Sequence, residues 1–164
     1  MKLEILGVDP RSQSREKLPA PAPLPCVSRR ALKRVKDRLV PPTACHRCDG
    51  AVRLVSNDEI YGRQCGDWPY AYLCTECQAY VGLHRGTDLP LGIMADRATI
   101  NARRAAKIQF MRLTHEHFGG NRTAAYQWLS QALEIAPANC HFGMFTRQQA
   151  EAAGRACRRH LGHH

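Results

Sequence analysis

Apolar and polar positions follow two different periods along the chain, and the change occurs near Asp96. Before this residue the apolar positions fall in short segments, "AVRLV", "YAYLC" and "AYVGL", which are typical of β-strands. After it, apolar residues recur at the three- and four-residue spacing of α-helices. The sequence therefore predicts an α+β protein in which a β unit precedes a helical unit.

The β unit is predicted over residues 43–92. "AVRLV" alternates apolar and polar residues, Asn57-Asp58 is a turn signal, and "EIYG" is expected to pair back as a strand. Gly86 and Pro90 then indicate a connecting loop. A unit of this size encloses only a modest core, which a covalent or metal cross-link would stabilise.

The C-terminal unit is predicted over residues 93–162, and its first helix is the longest. This helix is expected to begin after Asp96, a good N-cap residue, and to end at Gly119-Gly120. The residues expected on its core-facing side are Ile100, Ile108, Met111, His115 and Phe118.

Two further helices complete the predicted C-terminal unit. Asn121 is the expected N-cap of the second helix, which ends before Pro137. Thr146 and Gln149 have the spacing of a capping box and predict the start of the last helix. Between them lies "CHFGMF", for which we expect a short extended or looped conformation. The three helices are expected to pack on the β unit.

The N-terminal 40 residues have a different composition from the rest of the chain. Residues 1–27 include "LPAPAPLPC", whose alternating prolines favour an extended linker. Residues 28–40 predict a short helix, with Ser28 as N-cap and Pro41 as a stop signal, and six of these residues are Lys or Arg. We expect a flexible basic arm, whose cations contact either a phosphate backbone or acidic partner, or only water.

The net charge of the 164-residue chain is strongly positive. Its 24 Lys and Arg residues against 14 Asp and Glu residues give a formal charge of +10 and a pI near 9.6. Such a charge favours polyanionic partners, DNA or RNA or an acidic protein surface, although a solvated basic surface without such a partner is the alternative. The residues that we predict to contact nucleic acid are Arg29, Arg30, Lys33, Arg34, Arg85, Arg103, Arg104 and Lys107.

Hydropathy and cysteine content together indicate the cellular compartment. The apolar segments are far shorter than the ~20 residues that span a bilayer, and Glu4 and Asp9 interrupt the N-terminal apolar residues. We therefore expect a cytoplasmic protein with no membrane partner. In a reducing compartment, eight cysteines indicate metal or redox chemistry rather than disulfide bonds.

Two cysteine pairs have the spacing of a metal site. Cys45 and Cys48 are separated by two residues, as are Cys74 and Cys77, and 25 residues lie between the pairs. Two such knuckles on neighbouring hairpins complete a tetrahedral, all-thiolate site with no open position, which predicts a zinc ribbon with a structural rather than catalytic ion. A rubredoxin-like iron site would use the same four ligands, so iron is an alternative to zinc. A thioredoxin-like redox motif would need only one of the two cysteine pairs.

The order of several motifs resembles a known family. Cys45-x2-Cys48, "VRLVSNDEIYGR", "YLCTECQAYVGLHRGTDLPLG", an Ala- and Arg-rich helix, "AAYQWLSQAL" and "CHFGMF" are similar to a zinc-finger-containing domain family of phage, prophage and bacterial proteins. The resemblance runs from Cys45 to the final helix and leaves out the N-terminal 40 residues. It implies that Cys45, Cys48, Cys74 and Cys77 bind zinc. It also matches two short elements, His84-x-Gly86-Thr87 and His141-x-Gly143-x-Phe145.

The segment "HRGT" after the last predicted strand is either a ligand-binding site or a turn. An arginine, a threonine hydroxyl and a glycine that permits close backbone approach are the components of an anion pocket. We list as a possible anion site His84, Thr87 and His141. The alternative is an ordinary turn, since Gly-Thr is common after a strand.

Three functions follow, and the first is favoured. The first is nucleic-acid binding through phosphate contacts from the basic arm and the long helix. The second is a protein-binding adaptor in which the ribbon and "CHFGMF" dock a host or phage enzyme. The third is an enzyme, a nuclease using His84 and His141, and it is least favoured because paired carboxylates, HExxH and a Gly-rich phosphate loop are missing from the sequence. No catalytic residue is assigned.

Overall fold

The computed structural model describes residues 3–162. The chain divides into two compact units, an N-terminal unit, Met1–Ala95, and a helical unit, Asp96–His164. Each unit has its own cluster of buried hydrophobic residues. The architecture is α+β, as the sequence predicts, with the strands in the first unit and the long helices in the second.

The N-terminal unit contains two small antiparallel sheets. In the first, β1 (Ile5–Leu6) pairs with β2 (Arg38–Leu39). The second has the order β3-β4-β5, formed by β3 (Val52–Ser56), β4 (Tyr70–Cys74) and β5 (Tyr80–Gly82). The β3–β4 register pairs Val52 with Cys74, so that the end of β4 lies beside the segment that follows the first cysteine pair.

The segment "EIYG" does not form the expected strand. It lies in a short helix, α2 (Asp58–Tyr61), and β3 pairs directly with β4. The buried Asn57 explains the difference: its side chain donates to the Cys65 carbonyl at 2.9 Å and accepts from the Cys65 N–H at 3.0 Å. Because these bonds close the loop over the residues between, the chain turns back in a helical turn rather than an added strand.

The N-terminal segment also differs from the expected flexible arm, because apolar residues of its Pro-rich part are buried. Leu24 and Val27 belong to the same hydrophobic cluster as Tyr72 and Val81 of the β3-β4-β5 sheet. A three-stranded sheet alone covers little apolar surface, and the apolar residues between the prolines cover its exposed face. The Pro-rich segment is therefore part of the core of the N-terminal unit.

The predicted basic helix is shorter than residues 28–40. Helix α1 spans Arg29–Arg34 and is capped by Ser28, whose hydroxyl accepts from the Ala31 N–H. Val35 is already extended, and the chain then enters β2, where Leu39 pairs with Ile5. Pairing with the N-terminal strand thus ends the helix before the prolines do.

The helical unit consists of α3 (Arg97–Phe118), α4 (Arg122–Leu133) and α5 (Arg147–His160). The three predicted N-caps are confirmed: Asp96, Asn121 and Thr146 each accept a backbone N–H at the start of their helix, and Thr146 forms a capping box with Gln149. "CHFGMF" is looped and includes a 3₁₀ turn, Phe142–Met144.

The buried face of α3 is mostly not the one that the large apolar residues predicted, although Phe118 is half-buried against the core of the helical unit. Ile108 is 67% exposed and Met111 is 46% exposed. The residues buried instead are Ala106, Phe110, Leu113 and Thr114. The reason is the packing of α3 on α5, which places Ala106 against Gly154 and buries Phe110 and Leu113 on that side of the helix. Within residues 3–162, no helix has the length and apolarity needed to cross a bilayer.

Candidate metal centre

Two knuckles of the same local geometry carry the four predicted ligands. In each, the residue four positions after the first cysteine has a positive φ, Asp49 at 59° and Gln78 at 63°. The turn then closes on the first cysteine, whose N–H donates to the carbonyl of Gly50 in one knuckle and of Ala79 in the other, at 2.9 Å and 2.8 Å. This left-handed step turns both cysteines of each pair toward the same side.

The four thiols of Cys45, Cys48, Cys74 and Cys77 converge on one point. All four Sγ atoms lie within 4.8 Å of one another, with Cys45 and Cys77 at 3.6 Å and Cys48 and Cys74 at 3.5 Å. A tetrahedral zinc ion with Zn–S bonds of about 2.3 Å separates its sulfur ligands by roughly 3.8 Å. The donor set and spacing therefore fit zinc, and the four cysteines form a zinc site.

Backbone N–H groups support the thiolate form of the ligands. The N–H of Arg47 donates to Cys45 Sγ and that of Gly50 to Cys48 Sγ, each at 3.4 Å. Two N–H groups, from Glu76 and Cys77, donate to Cys74 Sγ at the same distance. Burial alone would raise the pKa of the Cys74 thiol, but these donors and the neighbouring thiols of Cys48 and Cys77 together lower it to about 7.

The zinc site is closed chemically although one side of it reaches the surface. Cys45 and Cys74 are fully buried, whereas Cys48 is exposed and Cys77 is half-buried. Four thiolates fill a tetrahedral coordination sphere, so no position is left for a water or a substrate. The ion therefore acts by joining the two knuckles and stabilising the small sheet between them.

The other cysteines are separate from this site. Cys140 and Cys157 are buried in the core of the helical unit, and burial raises the pKa of the Cys157 thiol to about 11. Among the described residues, the four knuckle cysteines are the one group of His, Cys, Asp or Glu that could hold a metal ion.

His46, inside the first knuckle, has a structural role that the sequence did not indicate. Its imidazole is half-buried, and Nδ1 accepts the N–H of the buried Met94 at 2.9 Å. Burial lowers the pKa of His46 and so favours this neutral acceptor form. His46 thus joins the first knuckle to the end of the N-terminal unit.

The "HRGT" segment forms a closed turn. The Thr87 hydroxyl donates to the His84 carbonyl at 2.8 Å and accepts from the Leu89 N–H at 3.0 Å, and the Thr87 side chain is fully buried. Gly86, at φ 77°, accepts the Ser28 N–H through its carbonyl, and a Cβ there would lie 3.0 Å from the Ala31 Cβ. The turn therefore packs against the start of helix α1 and supports it.

A charged network reinforces the same turn from the N-terminal segment. Arg11 donates to both carboxylate oxygens of Asp88, at 3.0 Å and 2.7 Å, and also to Asp9. Tyr72 donates its hydroxyl to the Asp88 carbonyl at 2.6 Å, and hydrogen bonding to Arg11 lowers the pKa of Asp9. Sequence reasoning missed this network, since nothing local relates Arg11 to a residue 77 positions later.

The residues proposed for an anion site are placed as follows. Thr87 uses its hydroxyl within the turn, His84 is half-buried at the first position of that turn, and His141 lies in the helical unit. Burial lowers the pKa of His84, which favours a neutral imidazole. An anion contact by His84 or His141 stays a prediction.

The predicted nucleic-acid-binding residues lie on α1, on α3 and, for Arg85, in the "HRGT" turn. Those on α1 are exposed, as are Arg104 and Lys107 on α3. Arg85 is exposed, with Asp67 at 3.5 Å. Arg103 is different, because it is half-buried and donates from Nε to the Phe145 carbonyl at 2.8 Å, and burial lowers its pKa to about 10. Arg103 thus stabilises the helical unit internally.

Comparison with known proteins agrees with this geometry. A family model described as a zinc-finger-containing domain matches residues 41–160 of the 164-residue chain. The match includes both knuckles and all three long helices, and it begins after α1. No match was found among curated proteins or among solved structures.

Proposed function

Because this chain belongs to a family of zinc-finger-containing domains, we propose that its zinc-stabilised fold serves to bind nucleic acid, DNA or RNA, through phosphate contacts. The observation that carries the proposal is the cluster of exposed cations on α1, held in place by the N-terminal unit. A relation to phages or prophages is part of the proposal and rests on the sequence resemblance.

Helix α1 is anchored in the N-terminal unit, and its cations point to the surface. Leu32 is fully buried and Val35 is 7% exposed, while the backbone of Ser28 is bonded to the "HRGT" turn. The exposed residues on and just after the helix are Arg29, Arg30, Lys33, Arg34 and Lys36. A helix docked in this way holds its charges at constant spacing, so less conformational entropy is lost when a ligand binds.

These cations are not neutralised within the part of the chain that the structure describes. Arg29 donates to the backbone carbonyl of Ser14, and Lys36 donates to that of Lys33. Arg30, Lys33 and Arg34 make no ion pair with a described carboxylate. Unpaired cations at this density attract polyanions and release the counterions that phosphates hold.

Salt dependence tests the proposal directly. The zinc-loaded chain is titrated into labelled duplex DNA, single-stranded DNA and RNA of equal length, and binding is followed by fluorescence anisotropy. For about four phosphate contacts, the affinity for duplex DNA should fall on the order of 100-fold between 50 and 200 mM salt. No binding to any of the three probes at 50 mM salt would overturn the proposal.

Charge reversal assigns the binding to α1. Lys33→Glu and Arg34→Glu should each weaken binding and make it less dependent on salt, because each removes a phosphate contact. Arg63→Glu is the matched control, since Arg63 is exposed in the same unit but is not part of α1, and the change in net charge is the same. An equal loss in all three variants would mean that net charge, not α1, carries the affinity.

The two alternative functions have less support. In the adaptor hypothesis "CHFGMF" docks a partner, but Phe142, Met144 and Phe145 are buried in the core of the helical unit. The nuclease hypothesis uses His84 and His141, which belong to different units, and it stays a prediction. A cleavage assay with His84→Ala and His141→Ala variants tests it: an activity that survives both changes would contradict it.

A further inference from the structure

A groove between α3 and α5 lies in the helical unit and is not used by the function proposed above. It encloses about 410 Å³. Its floor consists of small residues, and a Cβ added to Gly154 would lie only 3.5 Å from the Ala106 Cβ. The two helix backbones therefore approach closely there, which leaves a narrow trough between their outer side chains.

Three arginines of α5 line this trough. Arg147 is paired with Glu151 at 2.9 Å, one turn further along the helix. Arg155 and Arg158 are exposed and make no ion pair with any carboxylate in residues 3–162. The guanidinium of Arg158 lies over Gly154 in the floor of the trough, since its Nη1 would be 3.4 Å from a Cβ built on Gly154.

The spacing of these arginines suits a repeating anion. From Arg147 to Arg158 the helix rises about 16 Å at 1.5 Å per residue. One strand of a duplex presents a phosphate about every 3.4 Å along the axis, so several phosphates pass this face of α5. Each guanidinium can donate two parallel N–H bonds to the oxygens of one phosphate.

The lining also indicates which kind of polyanion the groove accepts. Besides the arginines and Glu151 it consists of Asn101, alanines and Gly154, without an aromatic or a large apolar side chain. The groove thus offers no aromatic ring on which a base could stack. It also offers no large apolar side chain against which an anchor residue of a protein partner could pack. The sugar–phosphate backbone needs neither of these features.

We propose that the α3–α5 groove is a second contact surface for the nucleic-acid phosphate backbone, with Arg155 and Arg158 as its phosphate ligands. This inference rests on the function proposed above and adds a surface in the other unit. The overall charge of that unit agrees with it, since the helical unit carries ten Lys and Arg residues against four Asp and Glu residues.

The experiment compares three single charge reversals on α5 in the full-length, zinc-loaded chain. Arg155→Glu and Arg158→Glu alter the groove, whereas Arg159→Glu alters an exposed arginine that does not line it. All three change the net charge equally and lie within five residues of one another. The probe is a labelled 25-base-pair duplex DNA, titrated by anisotropy at several salt concentrations.

The expected result is a difference between the groove variants and their control. Arg155→Glu and Arg158→Glu should each weaken binding by about tenfold more than Arg159→Glu, because a charge-assisted contact is lost. They should also reduce the slope of log affinity against log salt by about one unit. Adding Arg158→Glu to Lys33→Glu should weaken binding further, since the two surfaces lie in different units.

Each other outcome overturns the inference in an identifiable way. Parent-like binding by both groove variants, with Lys33→Glu still defective, would remove the groove and leave the proposed function intact. Absence of parent binding at 50 mM salt would remove both. If polyglutamate of matched charge bound the parent more tightly than DNA and lost its binding in the groove variants, the ligand would be an acidic protein instead.

Discussion

Each cysteine of the zinc site is needed, although the four differ in burial. Cys74→Ser should lower the zinc content of the purified chain from one ion to well below one, because the site has no spare ligand. Structural zinc supplies roughly 10–16 kcal/mol to the folding of small domains, so the N-terminal unit should unfold in this variant. Zinc is measured by mass spectrometry and folding by thermal denaturation.

Cys65→Ser is the matched control for that experiment. Cys65 lies in the same unit, is half-buried, and its thiol donates to the Arg63 carbonyl at 3.6 Å. The control should retain full zinc and the parent melting temperature. A Cys74→Ser protein with full zinc and an unchanged melting temperature would contradict the assigned ligand set.

The "HRGT" turn should behave as a structural element when its hydroxyl is removed. Thr87→Val leaves the Leu89 N–H without its acceptor inside the protein, which costs about 1–3 kcal/mol of unfolding free energy. Thr87→Ser keeps both hydrogen bonds and loses one methyl group, at about 1 kcal/mol. Urea denaturation gives both values. A stable Thr87→Val variant that had lost its affinity for nucleic acid would show instead that the hydroxyl contacts the ligand.

Protonation of His84 should destabilise the fold at mildly acidic pH. Burial lowers the pKa of His84 below its ordinary value of 6.5, so the unfolded chain takes up the proton first as the pH falls. The stability from the neutral imidazole is therefore complete above pH 6.5 and is lost progressively below it.

The measurement for His84 is the melting temperature between pH 5.5 and 8, with the zinc content checked at each pH. His84→Gln should show a smaller loss on acidification than the parent, since glutamine does not titrate. His115→Gln, at an exposed position, is the control and should follow the parent. Identical profiles for the parent and His84→Gln would rule out this role of the imidazole.

At the scale of helices and strands, the close contact of α3 with α5 depends on a small residue at position 154. A Cβ there would meet its neighbours at 3.4–3.6 Å, which is ordinary van der Waals contact. Gly154→Ala should therefore stabilise the helical unit by up to ~1 kcal/mol through helix propensity. Gly154→Leu should destabilise it by about 1–3 kcal/mol, because the added atoms cannot fit between the helices.

Circular dichroism during thermal unfolding measures both changes at Gly154. The alanine variant is the matched control for the leucine variant, since both remove the flexibility of glycine. If Gly154→Leu were as stable as Gly154→Ala, the two helices would not pack as closely at this position as the structure shows.

Local signals in the sequence predicted the helices well because helix ends depend on neighbouring residues. Asp96, Asn121 and Thr146 cap their helices as predicted, since each bond spans only three residues. The buried face of α3 was predicted incorrectly, because that face depends on α5, some fifty residues away. The wrong expectation for "EIYG" has the same origin, in the contact of Asn57 with Cys65.

The candidate site shows the same division between local and distant information. The two cysteine knuckles are four-residue motifs, and their spacing was enough to predict the zinc site. The packing of α1 on the "HRGT" turn was not predictable from the sequence. It depends on the hydrogen bond of Ser28 to Gly86 and on the ion pair of Arg11 with Asp88, and no local pattern relates the residues of either pair. Composition predicted the basic charge of α1, whereas only the structure shows that this helix packs on the zinc-stabilised unit.

For the molecule as a whole, zinc should stabilise one unit much more than the other. The four ligands lie in the N-terminal unit, whose hydrophobic core is built around the short β3-β4-β5 sheet. The helical unit has its own buried cluster, centred on Phe110 and Phe145, and contains no zinc ligand. Removing the metal should therefore unfold the first unit and leave the helices of the second in place.

Chelation followed by hydrogen exchange separates the two responses. After treatment with a strong chelator, amides of β4 should lose their protection, while those of α3 and α5 keep most of theirs, because opening energies differ between cooperative units. The ellipticity at 222 nm should fall only slightly, since α3, α4 and α5 contribute most of the helix. Restoring zinc should recover protection in β4. Loss of protection in both units together would show that they fold as one cooperative body, in which zinc supports the groove arginines as much as the α1 cations.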